Sequence, residues 1–159
     1  MKVDTSGLSQ TIDFFEKLDK SSPEVLEAAL KAGINIVADE MRAQITVLKT
    51  SDNYEGGNGK HYPSKKDVQG LLDSMGYTGA KTQAGGVMDV KVGFDGYNDH
   101  ITKKYPKGHA NQMIANSINK GTSFLIAQPM FNRTKNKSQQ QAIDAMQKSI
   151  DESIRALEK

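Results

Sequence analysis

The sequence predicts an α+β domain, a small antiparallel sheet with a long N-terminal helix and a C-terminal helix packed on one face. Two observations carry this. Leu26, Leu30, Ile34, Val37, Met41, Ile45 and Leu48 recur at steps of three and four, as do Ile143, Met146, Ile150, Ile154 and Leu157 near the other end. Between them, Val87 to Phe94 alternates Met88, Val90, Val92 and Phe94 with Asp89, Lys91 and Gly93, a strand covered on one side only.

In chain order, Ser6 to Leu18 reads as a short helix, with Leu8, Ile12, Phe15 and Leu18 on one stripe and a polar break at 19–22. That stripe needs a partner within the domain or on a neighbouring subunit. Ser21 and Glu24 have capping-box spacing, and Pro23 suits a first turn, so the long helix is expected over 21–48. Gly33 lies beside its apolar stripe and costs about 1 kcal/mol of helix propensity relative to Ala, which points to close packing there.

Residues 49–66 form a polar, glycine-rich segment read as a flexible loop, with Asn53, Tyr54, Gly56, Gly57, Lys60 and Tyr62 as its mobile residues. Its GGNG run matches neither GxGxxG nor a Walker pattern, and no strong strand precedes it, so it is not read as a phosphate cradle. Val68, Leu71, Leu72 and Met75 give one or two helical turns that Gly76 ends. A strand over 77–83, a turn at 84–86, the Val87–Phe94 strand and an Asp95-Gly96 turn follow. Residues 97–101 are expected to return as a strand before a basic loop at 102–109. Ala110, Met113, Ile114 and Ile118 then share a helical face closed by Lys120 and Gly121, and Thr122 to Ala127 is too short for a helix and reads as extended. Pro129 opens the last helix, and the all-polar stretch 132–141 is where that helix is expected to fray or break.

Composition narrows the function classes. The chain has 159 residues, enough for one domain with a real core, and its hydrophobic content is 36%. No run approaches the roughly 18 to 20 apolar residues of a membrane span, and MKVDTSGLSQ lacks the apolar core of a secretion signal. Zero cysteines rule out disulfides and thiolate metal sites, which fits a reducing cytoplasm. His61, His100 and His109 all fall in expected loops without the helical spacing of zinc motifs, and no nucleophile elbow is present. No catalytic residue, metal site or cofactor is assigned, and the chain is read as a non-enzyme.

Charge is unevenly placed although the net value is only +2. Residues 1–40 hold eight acids against four lysines, whereas 100–143 contains no acid and seven cations: Lys103, Lys104, Lys107, Lys120, Arg133, Lys135 and Lys137. Such polarity marks either a solvated face or a surface that meets DNA or an acidic partner.

The order of short motifs brings in a resemblance. Gly7 to Phe15 gives GL-x-x-x-I-x-x-F, followed by the long helix, LLDSM at 71–75, VGF at 92–94, IANSINKGT at 114–122 and QPMF at 128–131. In this order the chain resembles the neck or tail-completion (head–tail joining) proteins of long-tailed double-stranded DNA bacteriophages and prophages. The resemblance implies a structural protein of the virion, made in the host bacterial cytoplasm and assembled as a ring, commonly a hexamer, between head connector and tail tube around the exiting DNA. On this reading assembly or partner contacts are expected at Lys103, Lys104, Lys107, Lys120, Gly121, Thr122, Phe124, Pro129 and Phe131, with no membrane partner, and our own mechanistic expectation is that 49–66 and 102–109 become ordered only in the ring. Two other readings stand beside it: a nucleic-acid-binding protein using 100–143, and an adaptor using the first helix's stripe.

Overall fold

A 41-residue helix, α1 (Ser6–Thr46), is the element on which the rest is laid. The computed structural model describes residues 6–51, 59–84, 87–99 and 101–157, with side chains described from Phe15 onward. The expected break at 19–22 is absent, and Pro23 lies inside α1. Pro23 has no N–H for the Asp19 carbonyl, and the Ser22 hydroxyl donates to that oxygen instead, at 2.9 Å. The side chain thus supplies the hydrogen bond that proline removes, and Ser21-Ser22-Pro23 marks the interior of a helix rather than a new beginning.

The last helix, α4 (Met130–Leu157), runs antiparallel along α1. Thr134 meets Met41, Lys137 reaches Glu40 at 3.6 Å, and Gly33 faces Met146 and the Ala142 carbonyl. The expected break over 132–141 is also absent. Thr134 is 1% exposed and Ser138 2%, so this polar stretch is a packing seam. Each hydroxyl donates to the carbonyl one turn back, Thr134 to Met130 at 2.9 Å and Ser138 to Thr134 at 2.8 Å. A short side chain satisfied within its own helix packs as a small apolar one. Ala29, Gly33 and Ala38 on α1 and Ala142 on α4 complete a seam of small residues, and the stripe members Leu26 and Ile143 face outward instead.

Near the C-terminal half of α1 the packing changes to large side chains. Helix α2 (Lys65–Ser74) begins ahead of the turns expected over 67–75 because Ser64 caps it: Asp67 N–H donates to Ser64 Oγ at 3.0 Å, and Ser64 Oγ–H donates to Asp67 Oδ2 at 2.7 Å. Helix α3 (Asn111–Lys120) closes at Gly121, whose N–H donates to Ser117 O at 2.8 Å. Met41 and Ile45 of α1 and Leu48 just after it, Val68 and Leu71 of α2, Ala115 and Ile118 of α3, and Met130 of α4 form the core with Met75 and Phe94.

The strands are shorter than expected. Met75–Tyr77 (β1) pairs antiparallel with Val92–Phe94 (β4), and Lys81–Thr82 (β2) with Met88–Asp89 (β3), so the expected strands over 77–83 and 87–94 become two two-stranded ladders. Gly76, the expected helix stop, is paired within β1. Between the ladders three residues, 78–80, oppose two, 90–91, which is the count of a bulge. The Thr78 hydroxyl accepts from Lys91 N at 3.0 Å and the Thr78 N–H donates to Lys91 O at 2.9 Å, so the side chain stands in for a ladder bond. Among the described residues of the expected strand over 97–101 there is one bridge, Tyr97 with Ala110. β1, β3 and β4 rest against α1, and β4 also against α3. Among the described residues no helix is long and apolar enough to cross a membrane.

Candidate assembly surface

The residues expected to make partner contacts divide into two groups. Gly121, Thr122, Pro129 and Phe131 build the α3–α4 crossover. Gly121 has φ +75°, which favours glycine, and a Cβ there would press closely on Ala127 and the Leu125 carbonyl. The Thr122 hydroxyl accepts from Leu125 N at 2.9 Å. Phe131 packs against the core, and its N–H donates to Asn119 Oδ1 at 2.9 Å, capping the start of α4. Exposed Pro129 sits just before α4. Gln128, the first residue of the QPMF motif, locks this corner. It is buried, accepts from Lys49 N and donates to Lys49 O, both at 2.9 Å, and so ties the end of α1 to the crossover. Its sequence signal is its place in that motif, before proline.

The second group is outward. Lys103, Lys104, Lys107 and Lys120 are exposed, and Phe124 is 51% exposed. The basic loop is closed by its own bonds. Thr102 and Tyr105 exchange backbone hydrogen bonds at 3.1 and 3.0 Å, Gly108 N–H donates to Tyr105 O at 3.0 Å, and the stem is held by Asn98 N–H to His109 O and His109 N–H to Asn98 Oδ1. The acid-free span is spread over several elements: three lysines in the loop, one at the end of α3 and three cations on α4, where Lys137 is paired with Glu40.

Of the six residues named for the 49–66 segment, Asn53, Tyr54, Gly56 and Gly57 lie outside the described residues, and Lys60 and Tyr62 lie within them. Around Lys60 and Tyr62 the chain is pinned: His61 N–H donates to Phe124 O and Ile126 N–H to His61 O, both at 2.9 Å, and Ser51 N–H to Pro63 O at 3.0 Å. This parallel bridge of His61 with Leu125 brings two segments distant in sequence side by side. Lys65 and Lys66 belong to α2, and Lys66 pairs with Asp99.

Where these segments meet α3 they leave a half-open cleft of about 380 Å³, with His61, Tyr62, Met113, Ile114, Phe124 and Leu125 as its larger side chains and Asp67 and Asn98 among its polar ones. The His61 ring stacks on Phe124 with centroids 6.1 Å apart. His61 Nδ1 lies 2.7 Å from the Tyr62 carbonyl, which places its proton on Nδ1. Lysines rim this apolar floor: Lys49 Nζ stands 5.8 Å over the Tyr62 ring, and Lys104 Nζ 5.5 Å over Tyr105, which itself lies 4.3 Å from His109 at the cleft wall. The arrangement can bind an apolar side carrying negative charge. Among the described residues no cluster of three or more histidines and acids is placed to hold a metal.

No family model matches the chain, and no curated protein or solved structure matches it.

Proposed function

We propose that the chain is a structural protein of a long-tailed phage or prophage, joining the head connector to the tail or completing the tail end as a ring around the DNA exit path. The observation that supports this reading most is the order of the motifs together with where they fall. LLDSM ends α2 and enters β1, VGF is β4, IANSINKGT ends α3, and QPMF is the Gln128 corner that starts α4. Three of the five motifs are thus joints between elements, while VGF is a strand and the Gly7–Phe15 motif lies within α1. The work asked of such a protein is binding. The apolar cleft with its lysine rim and the exposed loop lysines are surfaces for a protein neighbour and for polyanion.

Deleting the gene from its parent phage or prophage and imaging the particles tests the reading. Filled heads and finished tails lying unjoined are the expected result, and normally joined particles overturn it.

The exposed Lys103, Lys104 and Lys107 favour one alternative, a nucleic-acid-binding protein. It requires DNA affinity that falls steeply with salt as counterions are released. A flat titration rejects it.

A further inference from the structure

The two ends of α1 carry unlike surfaces. At its C-terminal end lies the apolar cleft, with exposed Lys49 over its Tyr62 and exposed Lys104 over Tyr105 beside its His109; the one charged residue in its lining, Asp67, is engaged by Ser64 and Asn98. Toward its N-terminal end Phe15 is 61% exposed and Leu26 44%, among the exposed acids Glu16, Asp19, Glu24 and Glu27, which outnumber Lys17 and Lys20. The antiparallel register set by Gly33 against Ala142 places Leu157, the last residue of α4, opposite Leu18, so the opening turns of α1 run on past the described end of α4. One surface is apolar with positive edges, the other apolar with negative edges. At 1.5 Å per residue, Phe15 and Thr46, the last residue of α1, stand roughly 46 Å apart. A helix of that length cannot fold back, so one molecule cannot bring its own two surfaces together.

We propose that they meet between copies: the opening turns of α1 of one molecule dock their Phe15 side into the His61–Phe124 cleft of the next. A helix laid in an apolar groove is a common recognition mode, and here charge chooses the occupant, since the acids of α1 face the lysines of the rim. The contact is head-to-tail, with different patches on the two partners, so it repeats into a closed ring if the rotation closes and a filament if it does not. The proposal rests on the ring reading above and supplies its interface.

The test uses the full chain and two variants, Phe15→Asp and Phe124→Asp, both at exposed positions, with far-UV circular dichroism to verify the fold. If an aspartate disturbs the fold, Phe15→Gln and Phe124→Gln replace the pair. Mass photometry and light scattering are expected to show wild-type mass rising with concentration beyond one chain and each variant remaining a single chain, its self-association at least tenfold weaker. An equimolar mixture of the two variants retains one intact α1 end and one intact cleft, so it is expected to form one-to-one pairs and nothing larger. Lys49→Glu with Lys104→Glu is expected to weaken assembly, and Glu16→Lys with Asp19→Lys on the partner to restore it. A monomeric wild type, a variant that assembles as wild type does, or a mixture that stays monomeric or forms large assemblies overturns the contact. A monomeric wild-type chain whose deletion still leaves heads and tails unjoined removes this interface and keeps the joining role. A self-assembling chain whose deletion leaves particles joined does the reverse.

Discussion

Gly108 holds φ at +86° in the basic loop, and a Cβ there would collide with the Asn98 carbonyl. Gly108→Ala therefore meets both a left-handed backbone angle and an occupied space, and it should cost about 2 kcal/mol or more. Urea unfolding gives the loss, and the amides of Asn98 and His109, which hold the stem, should lose their protection from exchange. Among the described residues, Asp89 is the one group whose titration is clearly displaced. Its carboxylate accepts from Gln83 Nε2 at 3.1 Å and pairs with Lys91 at 3.2 Å, and these hold its pKa below the ordinary value of 3.8, the Gln83 bond most of all. A lowered carboxyl contributes stability that is complete above its ordinary value and disappears as pH falls through the lower folded one. The β2–β3 ladder is thus expected to be unchanged from neutral pH down to about the ordinary carboxyl range and to loosen only below it. An NMR titration reads this directly, and Gln83→Ala should move the Asp89 midpoint upward.

Helices α1 and α4 meet along a seam that is small rather than oily. Ser138 illustrates the consequence: its hydroxyl bonds only within its own helix, so Ser138→Ala should change stability by less than about 0.5 kcal/mol. Ser138→Leu forces bulk into a closed seam and should cost about 1–3 kcal/mol, measured by the same unfolding curves. Pro23→Ala restores a backbone bond inside α1 and should stabilise by about 1–3 kcal/mol, with a rise in helical circular dichroism. These positions also show what the sequence could and could not tell. The stripe from Ile34 to Leu48 and the close packing at Gly33 were legible, because large apolar residues at helical spacing have few other uses. The seam at Thr134 and Ser138 was not, because polarity read one residue at a time hides a hydroxyl already bonded to its own helix. The break expected at 19–22 failed for a related reason, since the Ser22 side chain takes over the bond that Pro23 removes. The segment 87–94 does pair as strand, but its burial does not alternate, since Met88 and Asp89 are both half-buried, and a bulge at 78–80 in the opposing segment divides it; bulges leave little mark in an alternation count. Of the candidate surface, Phe124 and the loop lysines could be picked out in advance. The cleft could not, since it depends on His61 meeting Leu125 across more than sixty residues of chain.

At the scale of the whole molecule, large side chains and small ones hold different ends. The core of Met41, Ile45, Leu48, Leu71, Phe94 and Ile118 gathers around the C-terminal half of α1, with all the other helices and the β1–β4 ladder contributing. Toward the N-terminal half, α1 is covered by α4 through Ala29 and Gly33, while Leu26 and Phe15 are open to solvent. Apolar area removed from water sets most of the stability, at about 25 cal/mol per Å². The half with small, partly exposed contacts therefore has less to lose by opening, and local opening free energies follow local burial. Amide exchange followed by mass spectrometry should find α1 residues 15–30 and α4 residues 146–157 exchanging by local opening, well before residues 38–48 and 111–120, which should exchange only with global unfolding. Equal protection along α1 would mean that the small-residue seam is as strong as the core. If the opening turns of α1 dock on a neighbour, that gradient must flatten from the N-terminal side as the protein concentration rises. Phe15→Asp must keep the gradient at every concentration, because it removes the docking contact and leaves the seam at Gly33 and Ala142 untouched.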